Sequence, residues 1–145
     1  MYNNTVTNKK RREKTMGKAA PRRDTPQRKL IRTILRNCCD HPTAETVYAR
    51  ARTVNPGIGF GTVYRNLAVL AEDGEILHLP IPGGADRYDG TVGDHGHYFC
   101  HRCGCFGDLV TDKMAERLAP QGFAVDGLLL ILDGVCADCR TQEEA

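Results

Sequence analysis

Apolar residues recur at helical spacing in three successive stretches of the first half of the chain. In the first, Leu30, Ile31, Ile34 and Leu35 repeat with the period of an α-helix up to Asn37. Thr25 offers a capping hydroxyl just before it, and Pro26 suits the first helical position. After a loop holding His41-Pro42, Thr43 and Thr46 open a second helix, with Val47, Tyr48, Ala51 and Val54 on its apolar side. Pro56-Gly57 breaks it. A third helix is predicted over about residues 61–73, with Val63, Leu67 and Leu70 as its stripe and Gly74 as its stop. Residues 75–81 and 85–88 then read as two extended segments joined by Pro82-Gly83-Gly84, a two-stranded hairpin.

The pattern changes after Gly90. Residues 91–96 contain Gly and Asp and read as a hinge between a unit at 21–90 and a second at 97–145. In the second unit, 97–100 and 106–110 read as strands, 111–119 as a helix, and the apolar run 123–132 as a buried or interface strand. The chain is therefore expected to be α+β: an N-terminal winged helix-turn-helix domain, then a small C-terminal α/β dimerisation domain. Leu128-Leu129-Leu130-Ile131-Leu132 is more apolar than a small monomer needs, which predicts pairing across a two-fold homodimer. Helix three is the element expected to enter a major groove. Its non-core residues Thr62, Tyr64, Arg65 and Asn66 supply a hydroxyl, a ring, a guanidinium and an amide, the types used at phosphates and base edges. The competing reading is an ordinary solvated face.

Charge shifts the balance toward DNA. The chain has 145 residues and a net charge of only +2, but residues 1–36 hold 12 of its 20 Lys and Arg against Glu13 and Asp24 alone. That segment is about +10 and the remainder about −8. A basic first third on an acidic body is the footprint of a polyanionic partner. Residues 1–20 have no hydrophobic period and are expected to form a disordered basic extension. Neither a long apolar stretch nor a leader-like segment is visible, which predicts a cytoplasmic protein without a membrane partner.

The cysteines sharpen the picture. Cys100-His-Arg-Cys103 and Cys136-Ala-Asp-Cys139 share C-x-x-C spacing, with 32 residues between the pairs. One tight turn aims two sulfurs at a single ion, and two such turns complete a tetrahedral thiolate set for structural Zn(II). In a reducing compartment that reading outweighs two disulfides or a redox pair. Of the seven cysteines, Cys38, Cys39 and Cys105 are left over; Cys38 and Cys39 are expected to pack. Cys105 adds a thiol beside the first turn, either a redox handle or a small buried residue. His41, Asp89, His95, His97 and Asp108 form a second constellation, of the imidazole and carboxylate type that suits Fe(II), Mn(II) or Zn(II). On composition alone, they are equally readable as scattered surface groups. His78 and His101 are read as structural or exposed.

Several local motifs occur together in a characteristic order: Thr25-Pro26-Gln27-Arg28, His41-Pro42-Thr43-Ala44-Glu45, Thr62-Val63-Tyr64-Arg65-Asn66-Leu67 and Arg87-Tyr88-Asp89. They are followed by His95-x-His97-x-x-Cys100-x-x-Cys103-Gly104, Asp108 and Gly134-x-Cys136-x-x-Cys139. Over roughly residues 24–140 the chain resembles the ferric uptake regulator (Fur) superfamily, most of all its peroxide-responsive PerR branch. The resemblance implies a dimeric, metal-dependent transcription factor, usually a repressor, acting on double-stranded operator DNA. It adds Arg28 to the expected DNA contacts and places structural zinc on the four paired cysteines. It also implies a regulatory Fe(II) or Mn(II) on His41, Asp89, His95, His97 and Asp108. Iron sensors of the superfamily carry a His-rich run, a Glu at the Asp108 position and a further last-strand His. Here the corresponding segments are Asp94-His95-Gly96-His97 and Asp126-Gly127-Leu128. Two local departures are Gly96, where an aromatic is usual and a looser hinge is expected, and Gly59-Phe60-Gly61 at the start of helix three.

The implied mechanism is a sensor rather than a catalyst, with no catalytic residue and peroxide as its only small-molecule signal. A divalent ion joining the two units would close the hinge and set the spacing of the recognition helices. Oxidation of a ligand histidine, His41 or His95, would be the peroxide signal. The alternatives are an iron- or zinc-sufficiency sensor on the same site, and a thiol oxidoreductase using the C-x-x-C pairs, which would need accessible low-pKa thiols.

Overall fold

The computed structural model of the protein describes residues 22–93, 95–111, 113–125 and 128–142. The expected disorder of 1–20 lies outside them. Helix α1 runs Pro26–Arg36, α2 Ala44–Val54 and α3 Phe60–Glu72. The starts and stops have local causes. The Thr25 side chain accepts a hydrogen bond from the Arg28 N–H, and Thr43 Oγ1 does the same for Thr46 N–H. Caps of this kind are worth about 1 kcal/mol each. Gly74, at φ 72°, ends α3. There the Glu75 N–H reaches the Leu70 carbonyl and the Gly74 N–H reaches that of Ala71, which occupies two carbonyls that the helix end would leave free.

The three helices enclose one apolar core. Ile31 and Leu35 of α1, Val47 and Ala51 of α2, and Val63, Leu67 and Leu70 of α3 are all buried. Truncating a residue such as Leu67 to Ala would cost about 2–5 kcal/mol. Strands β1 (Leu77–Leu79) and β2 (Arg87–Asp89) pair antiparallel, completing the winged helix. Val54 departs from the expected apolar face: it is 69% exposed, because the last turn of α2 runs past the core. Cys38 packs at the core margin as expected, but Cys39 is exposed.

The second unit is a three-stranded sheet in the order β4-β3-β5, with β3 Gly96–Cys100, β4 Phe106–Leu109 and β5 Leu130–Gly134. β4 pairs antiparallel with β3, and β5 pairs parallel with it. Helices α4 (Met114–Leu118) and α5 (Ala137–Thr141) are short. The expected helix over 111–119 thus shrinks to Met114–Leu118, entered through Lys113 in the left-handed region. The expected strand over 123–132 shrinks at its start: 123–125 and 128–129 are irregular, and 126–127 lie outside the described residues. Gly96 is not a loosening element. It is the first residue of β3, paired with Leu109 and Leu130, and a Cβ there would meet Thr111 Cγ2 at 2.8 Å. A side chain there would require Thr111 Cγ2 and Leu130 Cδ2 to move aside.

Candidate metal centres

Parallel pairing puts the two cysteine turns at one end of the sheet. β3 ends at Cys100 opposite Gly134, so the turns that follow leave side by side. The Sγ atoms of Cys100, Cys103, Cys136 and Cys139 lie within 4.8 Å of one another. The Cys136 N–H donates to Cys100 Sγ at 3.4 Å. Backbone N–H groups of Cys103 and Cys136 bring the Cys100 thiol down to about 5, and that of Cys105 lowers Cys103. Cys139, facing the Cys136 sulfur, is pushed up to about 12. Four sulfurs this close cannot all be anionic unless a cation sits among them, and a soft divalent ion with tetrahedral preference fits the set. Cys105 is exposed rather than buried, and the neighbouring Cys103 sulfur pushes its thiol up to about 12.

The second cluster unites five side chains from distant parts of the chain. His41 comes from the α1–α2 loop, Asp89 from the end of β2, His95 from the residue before β3, His97 from β3, and Asp108 from β4. One ligand atom of each lies within 4.8 Å of all the others. All three histidines present Nε2. Asp89 Oδ2 is 3.4, 2.8 and 3.2 Å from the Nε2 of His41, His95 and His97. Asp108 Oδ1 is 2.8, 3.5 and 3.5 Å from the same three atoms. His41, Asp89 and His97 are buried, while Asp108 keeps 57% of its side chain exposed and forms the solvent side.

Supporting contacts aim these atoms. His95 Nδ1 lies 2.8 Å from the Gly93 carbonyl, which can only accept, so Nδ1 carries the proton and Nε2 offers its lone pair inward. Asp89 Oδ1 accepts the Thr91 N–H at 2.8 Å, leaving Oδ2 for the imidazoles. His41 has φ 47°, a left-handed conformation uncommon outside glycine. Burial is the strongest single influence on His41 and lowers its pKa, yet Asp89 and Asp108 together outweigh it and leave it raised. His95 is raised in the same way: burial opposes, and the Gly93 carbonyl and both carboxylates prevail. Burial would raise Asp89, but its imidazole and Thr91 partners hold it well below the usual carboxylate range. Buried carboxylate and imidazoles with converging lone pairs suit a borderline divalent ion such as Fe(II), Mn(II) or Zn(II).

On α3, Tyr64 and Arg65 point outward, with Tyr64 55% exposed. Asn66 differs from the expectation of a free base reader. Its Nδ2 donates to the Thr62 carbonyl at 2.8 Å, and its Oδ1 accepts from Arg28 Nε at 3.4 Å. Arg28 is thereby turned along the helix pair, with a second bond to the Arg23 carbonyl. His78 bonds Asp86 on the wing and His101 bonds Asp133, both exposed. Sequence reasoning assigned no role to Arg87 or Phe106. Phe106 packs against His41 and His97 with ring centroids 5.1 and 5.3 Å away, and the Arg87 guanidinium lies over its ring at 5.4 Å. For Arg87 the signal was its place in the Arg87-Tyr88-Asp89 motif, which carried no role for it; Phe106 had none.

A winged helix and a thiolate-stapled sheet that share a five-donor set define a metal-responsive DNA-binding regulator. A family model described as the ferric uptake regulator family matches residues 20–127, and the chain belongs to that family. It is 35% identical over 125 residues to the peroxide operon regulator of Bacillus subtilis (strain 168), covering 83% of this chain and 86% of that protein. It is 32% identical over 124 residues to the peroxide-responsive repressor PerR of Staphylococcus saprophyticus, covering 83% and 84%. Its fold is similar to the crystal structure of the Campylobacter jejuni peroxide stress regulator, with TM-score 0.70 and 28% identity over 79% of this chain and 89% of that one. A zinc-bound manganese uptake regulator gives TM-score 0.60 and 30% identity over 79% and 90%.

Proposed function

We propose that this chain is a cytoplasmic, homodimeric transcriptional repressor that binds operator DNA in a metal-dependent way and is inactivated by peroxide. One observation carries the reading: five ligand atoms drawn from both units converge within 4.8 Å. His41 and Asp89 belong to the winged helix, and His95, His97 and Asp108 to the β3–β4 side. Neither half is a full coordination set, so holding all five together holds the units in one relative pose. These five residues would hold Fe(II), which would supply electrons to peroxide near the His41 and His95 rings, or Mn(II), which would supply only the cross-link. His41 and His97 are shielded by Phe106, and Asp108 leaves the solvent side open to a small oxidant. Structural zinc on Cys100, Cys103, Cys136 and Cys139 fastens the turns after β3 and β5. β5 is an edge strand with exposed Leu132, preceded by exposed Leu129, which supports a dimer face. Tyr64 and Arg65 are the proposed base contacts, with Thr62, Asn66 and Arg28 holding that face in register.

The test is to load the zinc-containing protein with Fe(II) or with Mn(II) and follow operator binding before and after peroxide. The iron form should release DNA and gain the mass of one oxygen atom on a peptide holding His41 or His95; the manganese form should do neither. An iron form that kept its operator with every histidine unmodified would leave metal-sufficiency sensing as the better account.

A further inference from the structure

Arg87 sits between the two centres and touches the backbone of both. One guanidinium nitrogen donates to the His41 carbonyl at 3.1 Å, and the other donates to the Gly104 carbonyl at 3.2 Å. Gly104 follows Cys103 directly, at φ 74°, and its own N–H closes the first thiolate turn on the Cys100 carbonyl at 2.8 Å. The guanidinium carbon also lies 5.4 Å from the centre of the Phe106 ring, which packs against His41, His97 and Phe99 as well. Around Arg87 the backbone is fixed: Tyr88 N–H donates to the Pro42 carbonyl, and Thr43 bridges Arg87. The planar fork of arginine can span two carbonyls in one fixed geometry, which a lysine ammonium cannot.

We propose that Arg87 is a positioning residue that couples the two metal centres, holding His41 in its ligating pose by anchoring that residue's carbonyl to the first thiolate turn. The inference deepens the proposed function and rests on it. His41 needs such a restraint because its left-handed backbone costs free energy unless its surroundings fix it. The anchor at Gly104 is only as firm as the turn that carries it, and that turn is fastened by Cys100 and Cys103. Loss of the ion held by the thiolates therefore loosens Gly104, then Arg87, then His41, and weakens the five-donor site by a route additional to any effect through the sheet itself. Linkage requires the converse: filling the five-donor site steadies the thiolate turn. The regulator then has a second way to let go of DNA, through its cysteines, that needs no histidine oxidation.

The experiment uses the full zinc-loaded chain and Mn(II) alone as the probe. Wild type, Arg87→Gln and Arg87→Lys are titrated with Mn(II). Zinc loss to a chelator is timed with and without Mn(II). Wild type should bind Mn(II) and lose zinc more slowly when it is bound. Both variants should keep their zinc and dimer mass, bind Mn(II) about ten- to a hundredfold more weakly, as for other supporting contacts of metal ligands, and show no slowing of zinc loss. A merely structural residue would shift stability but leave that slowing in place. Equal Mn(II) affinity in wild type and variants, or slowing that persists in the variants, overturns the coupling and leaves the proposed function standing. Failure of both variants to fold likewise overturns it, as does wild-type zinc loss indifferent to Mn(II). A wild type that binds no Mn(II) overturns the proposed function itself, and the coupling with it.

Discussion

His97 and Asp108 are cross-strand partners in the β3–β4 ladder, and their ligand atoms lie 3.5 Å apart. Direct partners on an antiparallel pair project to the same face, so this half of the five-donor site is set by strand register. A one-residue slip would send Asp108 to the other face and dismantle the site.

Asp108 is the exposed donor, so changing it should perturb the site without unfolding it. Asp108→Asn should weaken Mn(II) binding by about 1.5–3 kcal/mol, roughly ten- to a hundredfold. Asp108→Glu should keep metal-dependent operator binding while lowering peroxide sensitivity, since a longer carboxylate can close the side on which oxidant arrives. Titration and operator-release kinetics read the two effects; a Glu variant as peroxide-sensitive as wild type would refute the second.

Cys136→Ser should remove zinc and, with it, the fastening of β5 beside β3. Metal analysis should find the variant zinc-free, and sedimentation should find it monomeric or unfolded in its second half, because structural zinc supplies folding free energy outright. A zinc-free variant that remained a stable dimer would refute the role.

Metal and protons compete for the same imidazole nitrogens, and His41 and His95 both sit above their ordinary value of 6.5. With the folded pKa raised, protons are held at a pH where a free histidine would already have lost them. Mn(II) affinity should therefore be full above those raised values and decline as pH falls through them, beginning before 6.5 is reached. Titrations across that window check it; an affinity independent of pH there would contradict the arrangement.

Arg65→Ala should cost about 1–3 kcal/mol on operator DNA if the guanidinium reads a base edge. Deleting residues 1–20 should instead weaken binding to any sequence and flatten its salt dependence. Equal loss of specific and random DNA by Arg65→Ala would show that Arg65 meets phosphate alone.

The winged helix was legible because its signals are local. Thr25, Thr43 and Gly74 sit where caps and stops require them, and the α3 stripe of Val63, Leu67 and Leu70 is fully buried. The thiolate cluster was legible from spacing. The five-donor site was not legible from composition, since residues so far apart in sequence meet only through tertiary packing; resemblance brought them together. The second unit was read least well. Leu118, Leu129 and Leu132 face outward, so apolar character did not mark burial, and the run at 123–132 forms a strand only from Leu130. The contacts of the Asn66 amide with Arg28 and the Thr62 carbonyl were not legible, because a helix position does not reveal its tertiary partners. Arg87 stood in a quoted motif, but its role was not legible, because its hydrogen-bond partners are main-chain carbonyls that no residue type reveals.

The parallel pairing of β3 with β5 also governs the order in which the chain assembles. The β3–β4 hairpin is local and closes fast, but β5 must return across β4 and α4 before it can dock, and its loop-closure entropy falls due before any contact rewards it. Until then, Leu129 and Leu132 and an unpaired strand edge are presented to every neighbouring chain. A zinc ion held by the four cysteines would fasten β5 beside β3, so the exposed interval would end when the second thiolate turn meets the first.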